Sequence, residues 1–322
     1  MFNDLVSQFW PSTIDGLALG SIYALIALGY TMVYGVLRLI NFAHSEVFMI
    51  GTFGALLTLN ILGVTGPVSG LTFVGVLFLI AAGAMIASGG TAVLLELVAY
   101  RRLRKKGASR LAFLISAIGA SLFLQELFAL VVIPEGFDRP QAGRIQVPVP
   151  ALMEKEPLFS IGDAVVRNDK LLVFVGAIVM MIVLDLIVNR TRIGRGIRAT
   201  AQNPESAVLM GVNIDRVVLM TFLIGGAMAG IAAALYVVEF ENTQFFVGFL
   251  LGIKAFTAAV MGGIGNLRGA LVGGLALGLI EAYGTSMLGS EWQHVIAFSI
   301  LVLVLMFRPT GILGESLQQA RA

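Results

Sequence analysis

RTRIGRGIRATAQNPESAVLMGVNIDR, residues 190–216, carries five arginines and separates two apolar runs, 171–189 and 217–238. Each run is close to the roughly 20 residues that a helix needs to cross a hydrocarbon core. The basic interval therefore reads as a solvated connection between two membrane helices. Within it, Glu205-Ser206-Ala207 is followed after three residues by Gly211.

Composition agrees with that reading. Of 322 residues, 58% are hydrophobic and 12% charged, and mean hydropathy is +0.93. Soluble domains carry about 25% charged residues, so a water-soluble fold of this length is excluded. Gly supplies 38 positions, and small residues let membrane helices approach closely. The absence of Cys excludes disulfide and thiolate chemistry, and two His cannot build a multi-His metal cluster. Met1–Ser12 contains Asp4 and no basic cluster, so a cleavable signal is not expected.

The fold class is an all-α polytopic membrane protein, one transmembrane domain over 1–322. Candidate spans are 14–37, 43–61, 71–98, 111–133, 171–189, 217–238, 250–266, 270–288 and 293–307. Because 250–288 is Gly-rich and holds either one broken helix or two, the count is eight or nine. Segment 99–110 holds Arg101, Arg102, Arg104, Lys105, Lys106 and Arg110 without an acid. With 190–216 it is assigned to the cytoplasm by the positive-inside bias. Residues 134–170 balance five basic groups against six acids and contain Pro134, Pro140, Pro148, Pro150 and Pro157. They read as an extracytoplasmic loop. Parity then places the N-terminus outside and the tail after Arg308-Pro309 in the cytoplasm; nine spans fit this without a re-entrant segment. GLALGSIYA at 16–24 and GLALGLIEA at 274–282 agree at seven of nine positions, as an internal repeat or as the chance of a Gly/Ala/Leu-rich composition.

Ionisable groups inside hydrocarbon each demand a partner or a cavity. Asn41, His44 and Glu46 follow the first span. His44 and Glu46 sit about 200° apart on one helix, so they share a pathway only if the backbone breaks. They form either a polar patch at a pathway or an interfacial connection that satisfies loop backbone. Gln125 and Glu126 lie in the fourth span, where Glu126 either approaches a pathway or neutralises a basic group. Asp185 is expected to reach toward Arg190 or Arg192, and Glu239 and Glu241 to lie in a solvated loop. Lys254 needs an anion or a carbonyl cage, and Glu281 is a candidate partner. No G-x-x-x-x-G-K-[ST], HExxH or GxSxG pattern occurs, so neither an ATPase nor a membrane enzyme is expected.

Over nearly its whole length the chain resembles LivH-type permeases of branched-chain amino-acid ABC importers. The resemblance is carried by GLALGSIYALIALGYTMVYGVLRLINFAHSEVFMIG (16–51), LISAIGASLFLQ, GVNIDRVVLMTFLIGGAMAGIAAAL, GIKAFTAAVMGGIGNLRGALVGGLALGLIEA and RPTGILG. Ser45 departs from the Gly of the family's NFAHGE, so the local bend is expected to differ. The E-A-A-x-x-x-G pattern of importer permeases is matched by Glu205, Ala207 and Gly211, with Arg198 preceding it; the resemblance implies that this loop couples to the ATPase. It further implies a second, LivM-like permease, two cytoplasmic ATPase subunits that bind ATP in place of any cofactor here, and an extracytoplasmic solute-binding protein. The resemblance also implies a bacterial inner-membrane setting, and no nucleic acid partner is expected. The implied solute is a branched-chain or other neutral amino acid, moved by alternating access. Urea or short amides are the same-family alternative. An ion-coupled carrier using Glu126, Lys254 and Glu281 as a relay, and a structural scaffold, are readings from other classes.

Overall fold

A computed structural model describes residues 8–137 and 143–314; the expectations resting on Asp4 and Pro140 lie outside them. The helices are α1 (Phe9–Leu37), α2 (His44–Leu62), α3 (Gly70–Lys105), α4 (Arg110–Gly136), α5 (Asn168–Arg190), α6 (Arg192–Gln202), α7 (Pro204–Leu209), α8 (Ile214–Phe240), α9 (Val247–Gly262), α10 (Leu267–Leu288) and α11 (Ser290–Phe307). Eight of these are long and apolar enough to cross a membrane, which makes this a multi-pass membrane protein. The region 250–288 is two helices. The first of them, α9, has 16 residues, about 24 Å at 1.5 Å per residue against a core of about 30 Å.

Helix α1 is the hub, and α10 crosses it on glycine. Gly16, Gly20 and Ala24 face Gly274, Gly278 and Ala282 with opposite chain direction. A Cβ at Gly20 would lie 2.8 Å from the Gly274 carbonyl oxygen, and one at Gly278 would fall on the backbone of Gly16 and Gly20. The two segments that read alike in sequence thus pack against one another. In that pairing Tyr23 and Glu281 occupy equivalent places, and they touch. Glycine is needed because without an apolar driving force in lipid, close backbone packing supplies the attraction. A second glycine seam joins α2, α3 and α8: Gly51, Gly54, Gly226 and Gly230 each lie where a Cβ would strike a neighbouring helix.

Helix starts at the arginine-rich end are capped by side chains, as isolated polar turns require. Thr191, Asn203, Asn213 and Asn266 each accept from a backbone N–H within the next three residues. The RPTGILG motif closes on α9: Ile312 N–H donates to Met261 O at 2.7 Å and Leu313 N–H to Gly262 O at 3.0 Å. Those are the carbonyls that a helix leaves unpaired at its end. Gly311 (φ 78°) meets the backbone of Gly263, so neither position admits a side chain.

Three expectations are corrected. The bend after α1 does not depend on position 45: positive φ falls on Arg38 (52°), and Ser45 is helical. The basic run after 98 is not loop, because α3 continues to Lys105 through a π-turn at Glu96–Tyr100. Segment 134–170 is partly strand. Pro157–Ile161 (β2) pairs with Ala164–Arg167 (β3), and Val147–Pro148 (β1) pairs with Asn242–Thr243 (β4), tying that segment to the end of α8.

Gly278→Leu should therefore lose the detergent-stable fold, since the obstacle is backbone and overpacking costs about 1–3 kcal/mol or more. Gly119→Ala, at a glycine with open space around it, should leave the melting curve unchanged or slightly raised. Fluorescence-detected gel filtration with heating reads both.

Candidate functional site

Two regions collect the polar chemistry. At the arginine-rich end, Arg198 donates to the Val188 carbonyl and to Asn189 Oδ1 (3.3 Å), folding α6 back on α5. Ala207 is buried and pins α7, whereas Glu205 is exposed. Gly211 ends α7 at φ 81°, and Val212 N–H returns to Ala207 O at 3.0 Å, the wrap that favours glycine at a helix end. The result pushes Val208, Leu209 and Met210 into the open, with Leu209 87% and Met210 85% exposed. These apolar residues were not singled out in the sequence; the signal was V-L-M inside an otherwise polar interval.

The far end of the same interval is anchored by charge. Glu96, at the π-turn of α3, is fully buried and receives Arg101 and Arg104, each at 3.0 Å. Arg104 also reaches Asp215 at the start of α8, at 2.6 Å. Glu96 and Arg104 were likewise unassigned, although a carboxylate one turn before a basic cluster was visible. Asp185 is not paired with Arg190 or Arg192; Asn189 Nδ2 donates to it at 2.9 Å. Asp185, Arg38, Arg198, Asn266 and Arg268 line a cleft of about 750 Å³ at this end.

In mid-bundle the expected pair separates. His44 is fully buried, edge-on to Tyr30 at 4.8 Å, in space that Gly29 leaves beside Gly225. Glu46, two residues on, turns the other way. Its Oε1 accepts from Gln125 (2.8 Å), Ser121 (3.1 Å) and Ser45 (3.2 Å). The interfacial reading of these residues is corrected: Glu46 holds α4 rather than loop backbone. Asn41 Oδ1 accepts from Tyr100 at 2.8 Å. Asn41 Nδ2, His44 Nε2 and Glu46 Oε2 are buried and have no partner among the described residues.

Nearer the other end, Lys254 Nζ lies 2.6 Å from Glu281 Oε1, both almost fully buried. Tyr23 OH donates to both Glu281 oxygens at 3.0 and 3.2 Å and accepts from Lys254 at 3.2 Å, while Gln293 donates to Glu281 Oε1. Tyr23 and Gln293 were not anticipated. Glu126 is elsewhere, half-exposed and held by Arg144 at 2.7 Å, so Glu126, Lys254 and Glu281 do not assemble into one relay. Glu239 and Glu241 are not simply solvated, because Lys155 donates to the Glu239 carbonyl at 2.9 Å and pairs with Glu241 at 2.8 Å.

A protein-family profile described as "Branched-chain amino acid transport system / permease component" matches residues 12–305. The chain is 42% identical to the high-affinity branched-chain amino acid transport system permease protein BraD of Pseudomonas aeruginosa, covering 96% of this chain and 97% of that one. It is 38% identical to the corresponding protein LivH of Escherichia coli K12, over 95% and 96% of the two chains. Among solved structures, PsaBC from Streptococcus pneumoniae in complex with Fab shares the fold, with a TM-score of 0.50, 10% identity, and coverage of 96% and 97%.

Glu46→Leu should destabilise the protein, because Ser121 and Gln125 then lose their acceptor at about 1–3 kcal/mol per unsatisfied buried group. Glu46→Gln keeps the accepting oxygen and should melt close to wild type in detergent. Equal melting of both variants would show that the Glu46 contacts to α4 contribute nothing.

Proposed function

The chain belongs to the branched-chain amino acid transport system permease component family, and we propose that it is the subunit through which an ABC importer passes branched-chain amino acids across the bacterial inner membrane. The observation that carries the mechanical part of this reading is the α7 knob. Leu209 and Met210 stand in water on a rigid, glycine-terminated turn, where an apolar pair has no stabilising role in this chain alone and fits a groove on a partner. Arginines crowd this end of the bundle, so it is assigned to the cytoplasm, with the β2–β3 hairpin outside. The partner at the knob is one of two ATPase subunits, which bind the ATP; this chain needs no cofactor. A second LivM-like permease completes the pathway, and a solute-binding protein delivers the amino acid at the opposite end.

Force enters at α7 and travels by two rigid connections. Arg198 fastens the preceding helix, α6, to α5, and the Arg104 bridge fastens the following one, α8, to α3. Alternating access then follows when the ATPases close and carry α7 with them. The similarity to the branched-chain amino acid permeases BraD and LivH favours branched-chain amino acids over urea, and the separation of Glu126 from Lys254 and Glu281 disfavours a self-contained ion-coupled carrier.

Affinity purification from the native host in mild detergent should recover a second permease and two ATPase subunits in stoichiometric amounts; recovery of this chain alone would overturn the assignment. Because the chain has no cysteine, Leu209→Cys gives a unique thiol, which should cross-link to an ATPase subunit. Leu209→Asp, Glu205→Lys and Gly211→Pro should each lower uptake at least tenfold while membrane insertion is retained. Proline cannot adopt the φ of 81° at that position. Normal uptake in all three would remove the coupling role from 204–211.

A further inference from the structure

At the end of the bundle opposite the arginine-rich interval, α1, α8, α9 and α11 enclose a cleft of about 180 Å³. Tyr236, Phe240, Leu250 and Leu251 give it apolar walls, while Lys254 and Gln293 supply polar groups. Directly behind Lys254 is Glu281, which borders a second cleft of about 350 Å³ together with Asp15, Ser286 and, again, Gln293. The ion pair is thus a partition between two openings, with one charge addressed to each.

A structural role does not account for it. Burying a lysine and a glutamate costs heavily in a membrane bundle, and well-packed apolar residues of similar volume commonly serve stability as well or better. The pair is also provided for when its members part. Tyr23 and Gln293 both donate to Glu281, and Lys254 keeps the Tyr23 oxygen and lies 5.7 Å from that ring. Such backing lowers the cost of opening a buried pair, because neither charge is left bare.

We propose that Lys254 and Glu281 form an exchange site for a zwitterionic aliphatic amino acid, a proposal that rests on the amino-acid permease reading above. The solute carboxylate replaces Glu281 on Lys254, its ammonium replaces Lys254 on Glu281, and its side chain lies against Leu250, Leu251 and Phe240. One resident pair and one zwitterion become two pairs, so charge stays balanced throughout. A molecule with only one of the two charges leaves one protein charge unmatched, which makes the site selective for free amino acids.

The test uses the complete importer in proteoliposomes, with its binding protein saturated by radiolabelled leucine. The double variant Lys254→Met/Glu281→Gln removes both charges without leaving one unpaired, so it is expected to assemble; leucine uptake should fall at least tenfold. Leu250→Trp fills the cleft without altering the pair, and it should also assemble and lose uptake at least tenfold. Uptake within twofold of wild type in an assembled double variant, or in Leu250→Trp, overturns the exchange site; should the double variant fail to assemble, Leu250→Trp decides alone. A wild-type complex that takes up no leucine, isoleucine or valine would instead overturn the amino-acid reading itself.

Discussion

Everything in this bundle is hung on the crossing of α1 with α10. Lipid chains are as apolar as leucine, so membrane helices gain little by hiding hydrocarbon from them, and attraction must come from close contact. Gly16, Gly20, Gly274 and Gly278 allow backbone to meet backbone. That approach draws the first described helix against one formed some 250 residues later. It also brings Tyr23 to Glu281, and so fixes the floor on which Lys254 rests. Were α1 and α10 a side chain further apart, the ion pair would lose the hydroxyl that bridges it.

The polar groups divide by what surrounds them. Glu96 and Arg104 sit where α3 leaves regular geometry, and their bonds reach the start of α8. They tie the arginine-rich end of α3 to the first turn of α8. Glu46, by contrast, gathers three donors on one oxygen and fastens α4, a helix otherwise largely turned outward. Lys254 and Glu281 are paired with each other and border two clefts. Buried charges in one membrane protein thus perform different tasks, and burial by itself does not reveal which.

Much of the architecture was legible because hydropathy and charge act locally. Spans, the basic intervals and the distinctness of 190–216 follow from what each stretch does in oil or water. The brevity of α9 was not legible, since its end is set by the return of 310–313 rather than by its own residues. Nor were the β1–β4 strands, which pair segments nearly 100 residues apart. The spacing of Glu205, Ala207 and Gly211 pointed to a special turn, but the exposure of Leu209 and Met210 depends on how that turn is closed. Tyr23 stands in GLALGSIYA where Glu281 stands in GLALGLIEA, but the two segments run in opposite directions, so the repeat gave no register for this contact, which is made through the reach of two long side chains.

The clasp of Ile312 and Leu313 on the end of α9 sets an order of events during synthesis. The backbone donors that reach Met261 O and Gly262 O lie beyond α11, so they are translated only after α10 and α11 have been made. The junction of α9 and α10, which lies at the arginine-rich end, is therefore completed by chain that follows α11.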